Sequence, residues 1–496
     1  MGWLPHRGTT WSSNILMNAE NNGLMKHYLL LIATGLIGTL SLQARQGIET
    51  TSDTTHSFSA QDAVQYAMAN NVQVKNSLLA IQLQQETNRQ ITASAYPHLN
   101  ASISNTINPN VATQVIPNFI SPATYQVLID KGVKDGNGNP ITMPAEFGFV
   151  AAQFGTRFSA NAAVSLSQLL FDGQVFVGLQ ARDASIAFAK KGSELTSEVI
   201  KANVLKIYYQ LLAGRTQLEL LDSTIAFVNK NLSDTRILYA NGFREKLDID
   251  RVNVQLTNLQ TERNKVMNLL SNGYYGLKVL MGMPTADQLV LTDTLTPTQV
   301  KEGMLETMEY RYEDRKEFQY AQIGKQLGEY NIKRYQLSKI PTIALSGVYA
   351  KNAQRNQWNF LKGNQNWFTI SNVSLNMTIP LFNGFVTRSR ISQTRIELQR
   401  TLNEIEGLKR TIDSEAGSAR NNFQSAIARL DAQQQNLQLA EAVYTQVKKK
   451  YELGVGSQTE INIAQNEWKA AQTNYVSALS DAMMARIDWL KAIGKL

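Results

Sequence analysis

Two short stretches of the chain carry the same residue types at the same spacing, 212 positions apart. Tyr239-x-x-Gly242 is followed by Asp248, and Tyr451-x-x-Gly454 by Glu460, in each case six residues after the glycine. A carboxylate just past a tight turn can satisfy free N–H groups and the positive dipole end of the helix that follows. Ser457-x-x-Glu460 has the capping-box pattern, and Asp248 falls in a first helical turn, so this task is open to both acids. Little other chemistry is available. The 496 residues contain no cysteine and four histidines, which removes disulfides, thiolate nucleophiles and Cys-based metal sites and leaves scant material for imidazole catalysis. No nucleophile, base and orienting group stand together, and no metal-ligand spacing occurs. The chain is therefore expected to be no enzyme, with no cofactor and no metal.

The elements around the two stretches say what they are. From Ile200 the apolar positions run Val204, Ile207, Leu211, Gly214, Leu218, Leu221, Ile225, Val228, Leu232, Thr235 and Tyr239, alternating steps of four and three. That is a heptad seam. It resumes after Gly242 at Ile249, Val252, Leu256, Leu259, Arg263, Val266, Leu270, Gly273, Leu277 and Leu280. Two seams facing one another across a turn make an antiparallel coiled-coil hairpin, with glycine ending the incoming helix. The same register recurs 212 residues later from Ile412 to Tyr451, and again from Ile461 to Ala492, with more alanine. The chain is a tandem duplication.

Each repeat opens with helices and then strands. Ser57–Asn71 reads as a short helix capped by Ser59, and Val72–Ala95 as a second helix stopped by Pro97. Leu99–Thr106 and Phe158–Leu170 alternate with a period of two, as strands with unlike faces do. The Pro-, Gly- and Asn-rich Ile107–Arg157 between them reads as a long irregular loop. Phe171-Asp172-Gly173 then switches the pattern to helix. Thr285–Thr298 is a polar connector. Beyond it, helices near Val300–Tyr310 and Glu313–Leu337, Pro341, strands Thr342–Lys351 and Phe368–Ile379, and the switch Pro380–Gly384 repeat the first unit. The expected organisation is a presequence over 1–44, a first repeat over 45–284 with hairpin 174–282, a connector over 285–297, and a second repeat over 298–496 with hairpin 385–494.

The presequence has a basic start at Met25-Lys26-His27 and an apolar run from Tyr28 to Leu42, the pattern of a signal peptide, with translation starting at Met1 or Met25. Its roughly 15 residues fall short of a spanning helix. The net charge of +8 is spread along helix faces among Glu, Asp, Gln and Asn, so it reads as solvated surface and not as a nucleic-acid site.

Each long incoming helix covers about 65 residues, or on the order of 100 Å, which makes it part of a rod, stalk or tube. The strands alternate as membrane-barrel strands do, with Val373, Leu375, Met377 and Ile379 on one side and Asn372, Ser374, Asn376 and Thr378 on the other. Four strands are too few for a barrel, because the smallest outer-membrane barrels have about eight. Two copies would supply eight and three would supply 12. The alternative is a soluble periplasmic coiled-coil scaffold without a pore.

With these features in order, the chain resembles the TolC-like outer-membrane efflux protein (outer-membrane factor) family from about Ser57 to Gly494. The resemblance rests on Asn70-Asn71, the helix-ending Pro97 and Pro341, and the switches Leu170-Phe-Asp-Gly173 and Pro380-Leu-Phe-Asn-Gly384. It rests also on the two Tyr-x-x-Gly tips, the second followed by Ser457, Glu460 and Ala464-Gln465. It implies a mixed α and β membrane protein, each repeat joining short helices, two transmembrane strands and a long coiled-coil hairpin. A homotrimer would then form a 12-stranded β-barrel in outer-membrane lipid, continued by a 12-helix periplasmic α-barrel. By the same resemblance the chain sits in the cell outer membrane as the passive exit duct of a tripartite efflux or type I secretion system. Its partners are a periplasmic adaptor (membrane fusion protein) and an inner-membrane transporter. Tyr239, Gly242, Tyr451, Gly454, Gly456 and Ser457 are the implied adaptor-docking tips. Arg244, Asp248 and Glu460 are the implied aperture residues, able as a ring to attract cations and to bind Arg or Tyr. Two departures stand out: Arg244 has Gly456 as its counterpart in the second tip, and Ile463 occupies the place of a second acid. Closure by the family's full set of bonds is therefore not expected.

Overall fold

The first helix begins where a serine satisfies its free N–H groups. Ser59 Oγ accepts from the Asp62 N–H at 3.2 Å, and Asp62 Oδ2 accepts from the Ser59 N–H at 3.2 Å. This capping box separates β1 (Thr55–Phe58) from α1 (Ala60–Asn70). The computed structural model describes residues 55–301, 310–453 and 455–496. The presequence, most of the helix expected near Val300–Tyr310, and Gly454 lie outside these residues.

α2 (Val72–Ala93) follows, then β2 (His98–Ile107). The segment read as an irregular loop is instead built. β3 (Thr113–Pro117) pairs antiparallel with β4 (Phe149–Gln153), and α3 (Ile120–Asp130) lies between them in sequence. Strands of five residues separated by so much Gly, Pro and Asn carry too short a period to be read, and α3 buries no residue that would have given it a face. β5 (Phe158–Phe171) leads through the Asp172 cap into α4 (Gly173–Gln180) and, past Ala181, into the 59-residue α5 (Arg182–Ala240). α6 (Lys246–Met281) returns, and β6 (Gln288–Leu291) pairs with β1. After α7 (Pro297–Lys301) and a 3₁₀ turn at Tyr312–Asp314 come α8 (Lys316–Leu337), β7 (Thr342–Arg355) and β8 (Phe368–Thr378). The 67-residue α9 (Val386–Glu452) and then α10 (Gln458–Ala492) close the chain. At 1.5 Å per residue α5 and α9 are roughly 90 and 100 Å long.

The heptad positions are the core of the rod. Leu221, Val228 and Leu232 of α5 pack on Val252, Leu259 and Val266 of α6. Phe423, Ala426 and Leu430 of α9 pack on Ala478, Ala482 and Met483 of α10. The returning helices are shorter than their partners, so α2 takes over from α6 along α5, and α8 takes over from α10 along α9.

Where one helix hands over to the next, both repeats use the same joint. Asn71 is buried, its Oδ1 accepts from the N–H groups of Gln73 and Val74, and its Nδ2 donates to Leu280 O at 2.6 Å. Two residues on, Gly282 has φ +74°, and a Cβ there would lie 2.4 Å from Asn70 O. In the second repeat Arg315, only 3% exposed, donates to Ala492 O at 2.8 Å. Gly494 again has φ +74°, and its Cβ would lie 2.6 Å from Asp314 O. Only glycine fits either place, because the backbone is left-handed and touches another chain segment.

The strands form one antiparallel sheet in the order β2-β5-β7-β8. Its register sorts most of the residues, with Val348, Ile370 and Phe368 among the large apolar exceptions on one face and Gln168, Lys351 and Arg355 among the polar ones on the other. Leu99, Ala101 and Ile103 of β2 stand beside Leu166, Val164 and Ala162 of β5; the same face continues through Ile343 and Leu345 of β7 to Met377 and Leu375 of β8. The other face holds Asn100, Ser102 and Ser104, then Ser165, Ser346, Ser374 and Asn376, and carries no Lys, Arg, Asp or Glu. An exposed apolar face on a sheet with two open edges, β2 and β8, is unlike the surface of a soluble scaffold. Among the described residues no helix is long and apolar enough to cross a membrane.

Candidate functional site: the hairpin tips

The first tip closes as the glycine signal requires. Gly242 has φ +82°, its N–H donates to Tyr239 O, and the Phe243 N–H donates to Leu238 O, both at 2.9 Å. This left-handed stop reverses the chain before α6 begins at Lys246. The second tip repeats one closing bond, the Val455 N–H donating to Lys450 O at 3.0 Å as Phe243 does to Leu238, but the chain then passes so close to the end of α9 that a Cβ on Gly456 would lie 2.9 Å from Tyr451 N. The counterpart of Arg244 is glycine because that backbone approach leaves no room for a side chain.

Ser457 starts α10 with a complete capping box. The Glu460 N–H donates to Ser457 Oγ at 3.1 Å, and the Ser457 N–H donates to Glu460 Oε2 at 3.3 Å. Glu460 is thus occupied as a cap while remaining exposed. Asp248 sits between two cations, its carboxylate oxygens 4.0 Å from Arg244 Nη1 and 4.0 Å from Arg251 Nη1. Arg244 also reaches out of its own hairpin: its Nη2 donates to the Tyr451 hydroxyl at 3.2 Å. One polar contact therefore joins the two tips of a single chain, bringing together Tyr451, Arg244 and Asp248. Tyr239 is exposed and takes no part in it.

Beneath that contact lies an aromatic floor. Tyr444 of α9 stacks on Trp468 of α10 with centroids 4.9 Å apart, and Phe227 of α5 meets Tyr444 edge-on at 6.1 Å. Burial, with Glu452 adding to it, pushes the Tyr444 phenol above its ordinary range. The floor ties both hairpins together about two to four turns behind the tips. At the tips themselves Phe243, Leu453 and Val455 are 76%, 79% and 76% exposed. Sequence reading passed over these three; the available signal was a bulky apolar residue beside each turn glycine, where Asn, Asp or Ser is usual. Among the described residues no group of His, Cys, Asp or Glu is placed to hold a metal ion.

A four-stranded sheet joined to two long coiled-coil hairpins is an architecture shared with solved outer-membrane channels. A family model described as "Outer membrane efflux protein" matches residues 312–495, most of the second repeat. The Vibrio cholerae outer membrane protein TolC extends the similarity: it is 21% identical over 346 residues, covering 68% of this chain and 77% of that protein. Two solved structures share the fold. The Campylobacter jejuni CmeC outer membrane channel has a TM-score of 0.67 at 13% identity and covers 90% of each chain. The Neisseria gonorrhoeae MtrE outer membrane channel, in its open state, has a TM-score of 0.63 at 14% identity and covers 88% of each chain. In fold the chain is thus similar to these outer-membrane channels, and over residues 312–495 it is similar in sequence to outer membrane efflux proteins.

Proposed function

We propose that the chain is the outer-membrane exit duct of a tripartite efflux or type I secretion system. It conducts substrate passively from an inner-membrane transporter, through a periplasmic adaptor, to the cell exterior. The observation that carries this reading is the coupling of a sheet with one apolar and one uncharged polar face to two coiled-coil hairpins roughly 100 Å long. The apolar face meets lipid, the polar face lines a water-filled lumen, and the open edges β2 and β8 are closed by further copies. With four strands per chain, a homotrimer makes a barrel of 12, continued by a tunnel of helices through the periplasm.

The tips are the periplasmic end. Phe243, Leu453 and Val455, with Tyr239, Gly242, Tyr451, Gly454, Gly456 and Ser457 around them, dock the adaptor. The Arg244–Tyr451 contact holds the two hairpins of each copy together and narrows the aperture, with Asp248 fixing the guanidinium. Glu460 acts mainly through its cap. Purified protein in planar lipid bilayers tests this: steady ion conductance is expected, rising in Arg244→Ala. Protein that stays in the soluble fraction and conducts nothing would instead favour the periplasmic scaffold.

A further inference from the structure

The end of the sheet remote from the helices carries an unexplained set of cations. Register puts Lys351 and Arg355 of β7 on the apolar face, opposite Ala162 and Phe158 of β5, in line with Ile343, Leu345 and Tyr349. Arg157 directly precedes Phe158, and its guanidinium lies 5.6 Å from that ring. No Asp or Glu occurs between Glu329 and Glu397, so the β7–β8 hairpin and its loop supply no carboxylate to neutralise them. The loop instead folds an aromatic lid against this rim. Phe360 packs with Ala160 and Ala353, and Arg355 lies 4.9 Å from the Phe360 ring and 5.9 Å from that of Trp367. Arg355 also donates to Asn359 O at 2.8 Å, which fixes the lid, while Lys351 and Arg157 remain exposed.

We propose that Arg157 and Lys351, which the register sets roughly 17 Å apart along the strands with Arg355 at a level between them, bind the separate phosphate groups of a lipid in the outer leaflet. The inference rests on the outer-membrane reading above. From Ile343 to Lys351 the strand advances about 27 Å along its length, which a tilt of roughly 35–45° reduces to about 19–22 Å of the about 25 Å apolar height of an outer-membrane barrel, and the long lysine stem covers the remainder. Lys351 therefore emerges at headgroup level. Aromatic rings at the same level are the usual girdle of such a barrel. Lys351 and Arg355 face lipid by register, and Arg157 is drawn to the same rim by the Phe158 ring; without carboxylates from the β7–β8 hairpin they are complementary to an anionic headgroup.

The test uses the full-length protein reconstituted in vesicles of phosphatidylethanolamine doped with bis-phosphorylated lipid A, or with the same lipid A dephosphorylated. Bound lipid is measured by native mass spectrometry after detergent extraction. Retention of the phosphorylated form is expected to fall roughly 10- to 30-fold in Arg157→Gln/Lys351→Gln and to be restored in Arg157→Lys/Lys351→Arg. Millimolar inorganic phosphate is expected not to compete. Equal retention by the Gln variant, or equal retention of the dephosphorylated lipid, would overturn the proposal, as would full displacement by inorganic phosphate. Conductance is recorded on the same vesicles. Conducting protein with unaltered lipid retention contradicts this inference alone, whereas protein that neither inserts nor conducts contradicts the duct reading on which it rests.

Discussion

Gly456 and Arg244 occupy equivalent positions in the two repeats and do opposite things. One is a glycine because the chain folds onto the end of α9; the other is a long cation that crosses to the hydroxyl of Tyr451. Gly456→Arg, which would make the repeats alike, is expected to loosen the second turn and speed hydrogen exchange of the N–H groups at the start of α10. Tyr451→Phe removes one charge-assisted bond at a half-exposed site, worth about 1 kcal/mol. Single-channel recording should then give roughly a fivefold higher open-to-closed ratio. A third residue effect concerns Glu198, whose Oε2 is buried without a partner. Burial first, and then repulsion by Glu317, raise its pKa. A raised carboxyl pKa means the folded state holds the proton more tightly, so stability falls as pH climbs from the ordinary carboxyl range through the raised value. Glu198→Gln is expected to raise the thermal midpoint at pH 7 by about 2 °C and to change it little near pH 4, as differential scanning calorimetry would register.

At the scale of elements, the long helices and strands were legible because each repeats a short period many times over. Ile200, Val204 and Leu211 recur at seam positions that the structure buries at 3%, 0% and 4% exposure. β3, α3 and β4 were not legible, since five-residue strands and a helix without a buried face offer no period. The turns at Gly242 and Ser457 could be read from local pattern, but the Arg244–Tyr451 contact could not, because it spans 207 residues and depends on how two hairpins pack. The joints were hidden for the same reason. Asn71 looks like one more helix cap; that its amide also bonds the last turn of α6 emerges only in three dimensions. Asn71→Ala should cost about 2–4 kcal/mol, the cap plus an unsatisfied carbonyl at Leu280. Asn71→Ser should recover the cap alone. Denaturant titration of the two variants separates these terms.

For the whole molecule, duplication offers a rule for how copies would meet in the proposed barrel. The pairing His98↔Ser167 in the first strand hairpin becomes Thr342↔Thr378 in the second, so the two hairpins share one register. Within the chain they join through Ser165↔Val348. The residues equivalent to these are Asn376 on β8 and Ser104 on β2, the two open edges. If neighbouring copies join as the hairpins of one chain do, Asn376 of one copy stands opposite Ser104 of the next, on the polar face. The absence of cysteine makes this directly measurable. Ser104→Cys/Asn376→Cys protein in native membranes is treated with a short bis-maleimide and separated on a denaturing gel. A covalent trimer from the double variant, and none from either single variant, is the expected result. A chain that stays monomeric in the membrane, with both cysteines free to react with a monofunctional maleimide, would contradict the claim that these edges close a barrel.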